Sequence, residues 1–176
     1  MSLVKQWQTG VIAGFETLYN RYKDMVFRTA VSLTGDEHEA EDILQTAFIK
    51  VYEARDKFKG DEDAFKRWLY RITINQCVDS HRKKKPRSPS FSLDQMMGNG
   101  FQPRAELSES KLEVEDMVWQ AMECLDEKHR SVVILKYFQE LPYEEIAQIL
   151  NIPLGTVKSR LNTAMKTMRQ RLVKEI

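Results

Sequence analysis

The chain of 176 residues is long enough to bury a core, and its 42% hydrophobic and 30% charged residues match an ordinary globular protein. Only 7 Gly and 5 Pro leave little for turn-rich β architecture, so mostly helix is expected. Cations and anions nearly cancel, 27 against 26, and no stretch approaches the roughly 20 apolar residues of a membrane span.

Met1 to Gly14 lacks the basic start and apolar run of a secretory leader, so a cytoplasmic protein without membrane insertion is expected. Cys77 and Cys124 are the only cysteines, and His38, His81 and His129 stand at no zinc-ligand spacing from them. Two free buried thiols, no metal and no cofactor follow. Charge is segregated along the chain. Asp36, Glu37, Glu39, Glu41 and Asp42 form an acidic block, followed by a basic stretch from Lys66 to Arg87. A second acidic stretch, Glu106 to Glu127, precedes a basic segment with Lys158, Arg160, Lys166, Arg169, Arg171 and Lys174. Two acidic-then-basic units suggest two modules, each with one face for a basic partner and one for a polyanion.

From Phe15, the residues Leu18, Tyr19, Tyr22, Met25, Val26 and Leu33 recur at helical steps, predicting one long amphipathic helix that stops near Gly35. Asp36 can cap a second, with the stripe Ala40, Ile43, Leu44, Ala47, Phe48, Val51 and Tyr52. Gly60 and Asp61 break and restart the chain. A third helix with Phe65, Trp68, Leu69 and Ile72 on its apolar side runs into the basic stretch before Pro86.

Residues 86 to 111 lose the periodicity and read as an irregular linker, which either lies along a partner or acts as a tether. Beyond it, Val114, Met117, Val118, Ala121, Met122 and Leu125 mark a fourth helix, and Ser131 to Phe138 a fifth. Tyr143 to Leu150 is a short helix, Asn151-Ile152-Pro153 a turn, and Val157, Leu161, Ala164, Met165, Met168 and Leu172 the buried stripe of a longer helix. That arrangement is a helix-turn-helix. The fold expected is all-α, with two small helical domains, residues 1–85 and 112–176, joined by the linker 86–111.

Opposite the apolar stripe, the last helix carries Thr156, Ser159, Asn162, Thr163, Lys166 and Gln170, flanked by Lys158 and Arg160. A merely solvated face would carry Glu as well as Lys, and this one has no acid. Asn and Gln suit adenine, Lys suits guanine, and the flanking cations suit phosphate, so the face fits a DNA major groove. In the third helix Arg71, Asn75, Asp79 and Arg82 share a stripe, with Phe65, Trp68 and Tyr70 nearby. Cations interleaved with aromatics suit single-stranded nucleic acid. A solvated helix end and a core tryptophan would account for the same residues.

Four segments together resemble the successive signatures of extracytoplasmic-function (ECF) sigma factors. They are Glu39 to Phe48; Trp68 to Ile72 with Asn75, Asp79 and Arg82; Tyr143 to Ala147; and Ile152 to Leu161. The resemblance runs from about Phe15 to near the end. It implies that Asp42, Gln45 and Phe48 dock on RNA polymerase core. It implies that Arg71, Asn75, Arg82 and Lys83 open the minus-10 element and hold one strand. It implies that Thr156, Lys158, Ser159, Arg160, Asn162, Thr163 and Lys166 read the minus-35 element. It further implies that the linker threads through the polymerase, that an anti-sigma factor exists, that the free protein is a monomer, and that it has no catalytic residues. Thr46 stands where the family commonly has Glu, Thr73 where Ala is frequent, and Asn162 and Thr163 where an aromatic or Arg is common. The minus-35 sequence therefore cannot be copied from relatives. The chain ends soon after Leu172, leaving no room for an appended sensor domain.

A helix-turn-helix regulator of another class shares the C-terminal signature, yet it leaves residues 15 to 85 unexplained and would dimerise to match two half-sites. A nuclease lacks the carboxylate pair it would need near the basic stretch. A helical adaptor predicts no salt-sensitive DNA affinity.

Overall fold

The computed structural model describes residues 2–83 and 118–174. All regular structure among them is helical. The expected linker and the fourth-helix positions Val114 and Met117 lie outside the described residues.

The N-terminal half holds α1 (Leu3–Gln8), α2 (Ile12–Thr34), α3 (Glu37–Glu53) and α4 (Glu62–Lys83). The boundaries follow local chemistry. Gly35 ends α2 in the left-handed region at φ 70°, donating its N–H to the Val31 carbonyl, and Asp36 caps α3 by accepting from the Glu39 amide at 2.9 Å. Asp61 does the same for α4, accepting from the Ala64 amide at 2.8 Å. The predicted stripes face one another, burying Leu18, Val26, Ala47, Val51, Phe65 and Leu69 in a common cluster.

The first helix, α1, has no counterpart in the sequence reading. Its Val4 and Trp7 are buried in this cluster, where Trp7 meets Phe65 edge-on at 5.4 Å. Gly14 makes the approach possible, because a Cβ there would lie 2.6 Å from the Trp7 backbone nitrogen.

The C-terminal half comprises helical residues 118–123, α5 (Glu127–Val133), a π-helical turn (Ile134–Phe138), α6 (Tyr143–Leu150) and α7 (Leu154–Lys174). Helix α5 begins earlier than the Ser131 start expected, because Asp126 accepts from the His129 amide at 2.9 Å and caps it. Asn151, left-handed at φ 53°, ends α6 and turns the chain into α7. The α7 stripe buries Val157, Leu161, Ala164 and Met168, whereas Met165 is 44% exposed and leaves the predicted stripe.

The two helical units are in contact. One hydrophobic cluster includes Leu33, Ile43 and Ile74 from the first together with Leu135, Ile146 and Ile149 from the second. Polar bonds cross the same boundary. Arg130 donates to the Leu33 carbonyl at 3.3 Å, Tyr70 donates to Gln139 at 3.0 Å, and His81 faces Glu127 at 2.9 Å. The cysteines differ from the expected buried pair. Cys77 is buried, and burial pushes its thiol well above the usual range, but Cys124 is exposed.

Candidate nucleic-acid and polymerase interfaces

Three surfaces carry the predicted residues. On α3, Asp42 and Gln45 are exposed beside Ile49 and Tyr52, which are 58% and 57% exposed. The face is thus acidic toward its N-terminal end and apolar toward its C-terminal end. Phe48 does not belong to it. Only 4% exposed, its ring meets Tyr19 at 4.8 Å and Phe15 at 6.2 Å, so it holds α3 against α2 instead of meeting a partner.

On α4, Arg71, Asn75 and Asp79 are all exposed along one line, as the helical spacing requires. Arg82 and Lys83 extend the helix, with side chains outside the described residues. The aromatics divide. Phe65 and Tyr70 are buried, at 0% and 2%, and only Trp68 keeps a partly open ring, leaning on Phe58 at 5.0 Å. Burial raises the Tyr70 hydroxyl above its ordinary range, with Glu145 adding to the effect, so it remains a neutral donor to Gln139. Stacking on this surface therefore rests on Trp68 alone among the three predicted rings. Trp68, Lys57, Lys59, Arg67 and Arg71 line a cleft of about 460 Å³ that Gln148 of α6 closes from the other unit. A cleft with four cations and one open ring suits an anionic, aromatic ligand such as an unpaired nucleotide. The loop residues Lys57 and Lys59 were missed in the sequence because neither lies on a helical stripe.

On α7, Lys158, Ser159, Asn162, Thr163 and Lys166 are exposed along one side, with Thr156 and Arg160 half-buried at its margins. A Cβ at Gly155 would meet nothing within 4 Å, so the N-terminus of α7 is open to an approaching backbone. The amides of Thr156 and Val157 already donate to the Pro153 carbonyl at 2.9 and 3.2 Å, and the positive end of the helix dipole here favours an anion. Ser159 now donates to the Thr156 carbonyl at 3.1 Å, a local bond that its hydroxyl can exchange for a base or phosphate. Among the described residues no cluster of His, Cys, Asp and Glu could hold a metal ion, and no helix is long and apolar enough to cross a membrane.

A helix-turn-helix unit packed against a second helical unit with a cationic cleft fits a transcription-initiation protein of the sigma-70 type. The family models agree: Sigma-70 region 2 matches residues 18–87 and Sigma-70 region 4 matches residues 115–168. Over 96% of this chain and 94% of the relative, the sequence is 36% identical to the ECF RNA polymerase sigma factor SigW of Bacillus subtilis. It is 34% identical to the ECF RNA polymerase sigma-E factor of Escherichia coli K12, over 94% of this chain and 90% of the relative. The chain belongs to the ECF family of RNA polymerase sigma factors, proteins that bind the polymerase core and direct it to promoters.

Two solved structures share the fold. CnrH in complex with the cytosolic domain of CnrY superposes with a TM-score of 0.72 at 21% identity, covering 99% of this chain and 97% of that one. The sigma factor RpoE in complex with the anti-sigma factor NepR from Bartonella quintana gives 0.63 at 26% identity, covering 91% and 96%.

Proposed function

We propose that the three surfaces divide the sigma-factor task among themselves: Asp42 and Gln45 on α3 dock on polymerase core, the α4 cleft takes the unpaired minus-10 strand, and α7 reads minus-35 duplex. The observation that carries this reading is the contrast on α7, whose buried stripe is wholly apolar while its open face holds Lys158, Ser159, Asn162, Thr163 and Lys166 without an acid. Such a face neutralises phosphate and reads base edges together. Arg71 and Asn75, with Arg82 and Lys83 beyond them, serve the opened strand, with Trp68 as its stacking ring.

Residues 1–85 and 112–176 form the two working domains, and 86–111 connect them through the polymerase. The chain carries out no covalent chemistry of its own and works in the cytoplasm as a monomer when free. An anti-sigma factor regulates it, a reading supported by the complex of RpoE with NepR. Mixing the purified chain with polymerase core and promoter DNA should yield promoter-dependent transcripts. Their absence, with the chain bound to core, would overturn the assignment.

A further inference from the structure

The α4 side chain best placed for the opened strand is already engaged within the protein. Arg71 reaches across to α6, where its Nε donates to the Ile149 carbonyl at 2.9 Å and its Nη2 to the Gln148 carbonyl at 2.5 Å. These acceptors are free for a reason. The last turn of a helix leaves its carbonyls without amide partners, and the left-handed cap at Asn151 satisfies only one of them: the amides of Asn151 and Ile152 both go to Ala147. Gln148 and Ile149 are left facing Arg71, at the negative end of the α6 dipole. The planar guanidinium fork matches two adjacent carbonyls, which the single ammonium of lysine would not. Behind the fork, Tyr70 holds Gln139, and Ile74 and Ile149 share the common core.

We infer that Arg71 is an interdomain latch: it alternates between the α6 carbonyls, which closes the two units on each other, and the phosphates of an unpaired strand, which opens them. The inference rests on the proposed strand-binding role of α4. A phosphate held bidentately on the same Nε and Nη2 edge must displace the two carbonyls, so strand capture and closure oppose each other and the coupling is reciprocal. Gln148 also walls the α4 cleft, so closure narrows the path of the strand as it engages its cation. The α7 reading face stays open in the closed form, which makes the latch selective for the melting step.

The test is a distance measurement by electron spin resonance between labels at Glu53→Cys on α3 and Glu144→Cys on α6, both exposed, in the full chain carrying Cys124→Ser. The free protein should give a short, narrow distribution. Arg71→Ala should shift the closed-to-open ratio by at least about tenfold, as expected for loss of two charge-assisted hydrogen bonds, and Arg71→Lys by less. Oligo-dT of about ten nucleotides, a length within the range one strand-binding groove holds, should open the unsubstituted chain. Tyr70→Phe, which keeps Arg71 and loosens the contact, should bind oligo-dT several-fold more tightly. If Arg71→Ala retains the closed distribution, or Tyr70→Phe leaves oligo-dT affinity unchanged, the latch is wrong. A latch that behaves as described while Arg71→Ala still opens promoters normally would overturn the strand-binding reading instead.

Discussion

Arg130, on α5, sends its guanidinium into the boundary between the two units and donates to the carbonyl of Leu33, 97 positions earlier in the chain. The same group donates to the carbonyls of Glu123 and Leu125 at 3.3 and 3.2 Å, so one cation ties the end of α2 to the turn before α5. Only 7% of Arg130 is exposed, and burial lowers its affinity for the proton. Replacement by Ala leaves three carbonyls short of a donor and should cost about 2–4 kcal/mol in urea unfolding. A loss below about 0.5 kcal/mol would mean that water takes over these acceptors.

The α3 surface predicts a separation of docking from folding. Asp42→Lys reverses a charge on an exposed position and should abolish co-elution with polymerase core while leaving helicity and unfolding midpoint unchanged. Phe48→Ala should instead cost about 3–5 kcal/mol of stability, because it empties a site among Phe15 and Tyr19. An unfolding midpoint unmoved in Phe48→Ala would contradict its place in the core.

Reading by α7 predicts loss at named steps of the promoter. Ser159→Ala or Asn162→Ala should each relax preference at particular minus-35 base pairs by about 1–3 kcal/mol, while Lys166→Ala should weaken all sequences and reduce the salt dependence. Competition binding with single-base variants of the duplex distinguishes the two. A uniform loss in Asn162→Ala would make it a backbone contact.

Acid should weaken the start of α5. Burial alone would raise the Asp126 carboxyl, but bonds from the His129 amide and ring outweigh it and hold it below the usual carboxylate value of 3.8. A depressed carboxylate adds stability above the unfolded value and loses it as pH falls through the folded one, so the contribution of the cap fades below about pH 4. Asp126→Ala should cost about 1 kcal/mol at neutral pH and progressively less as pH falls below about 4. An equal cost at neutral and acid pH would exclude the charge from the effect.

Periodicity carried most of the reading where a helix buries one stripe, as in α2, α3 and the helix-turn-helix. Tyr52 and Met165, predicted on the α3 and α7 stripes, are nevertheless exposed at 57% and 44%, because they fall at the stripe's edge, where spacing alone does not fix the side. Periodicity also failed where tertiary contact decides. Six residues of α1 are too few for a periodic signal, and Trp7 is buried only because Gly14 lets the backbones meet. Tyr70 read as a stacking ring because its partner, Gln139, lies 69 positions away. Arg71 was legible as an exposed cation on the α4 stripe, whereas its bonds to Gln148 and Ile149 depend on how α6 ends and where α4 crosses it.

The division of labour between the two DNA surfaces is tested most directly by permanganate reactivity of minus-10 thymines in polymerase complexes, on duplex and on pre-melted promoters. Arg71→Ala and Asn75→Ala should fail to open duplex promoter and recover when the bubble is supplied, because strand capture offsets a few kcal/mol of unstacking. Ser159→Ala and Asn162→Ala should keep opening and lose upstream discrimination. Normal opening rates in the Arg71 and Asn75 variants would contradict the account.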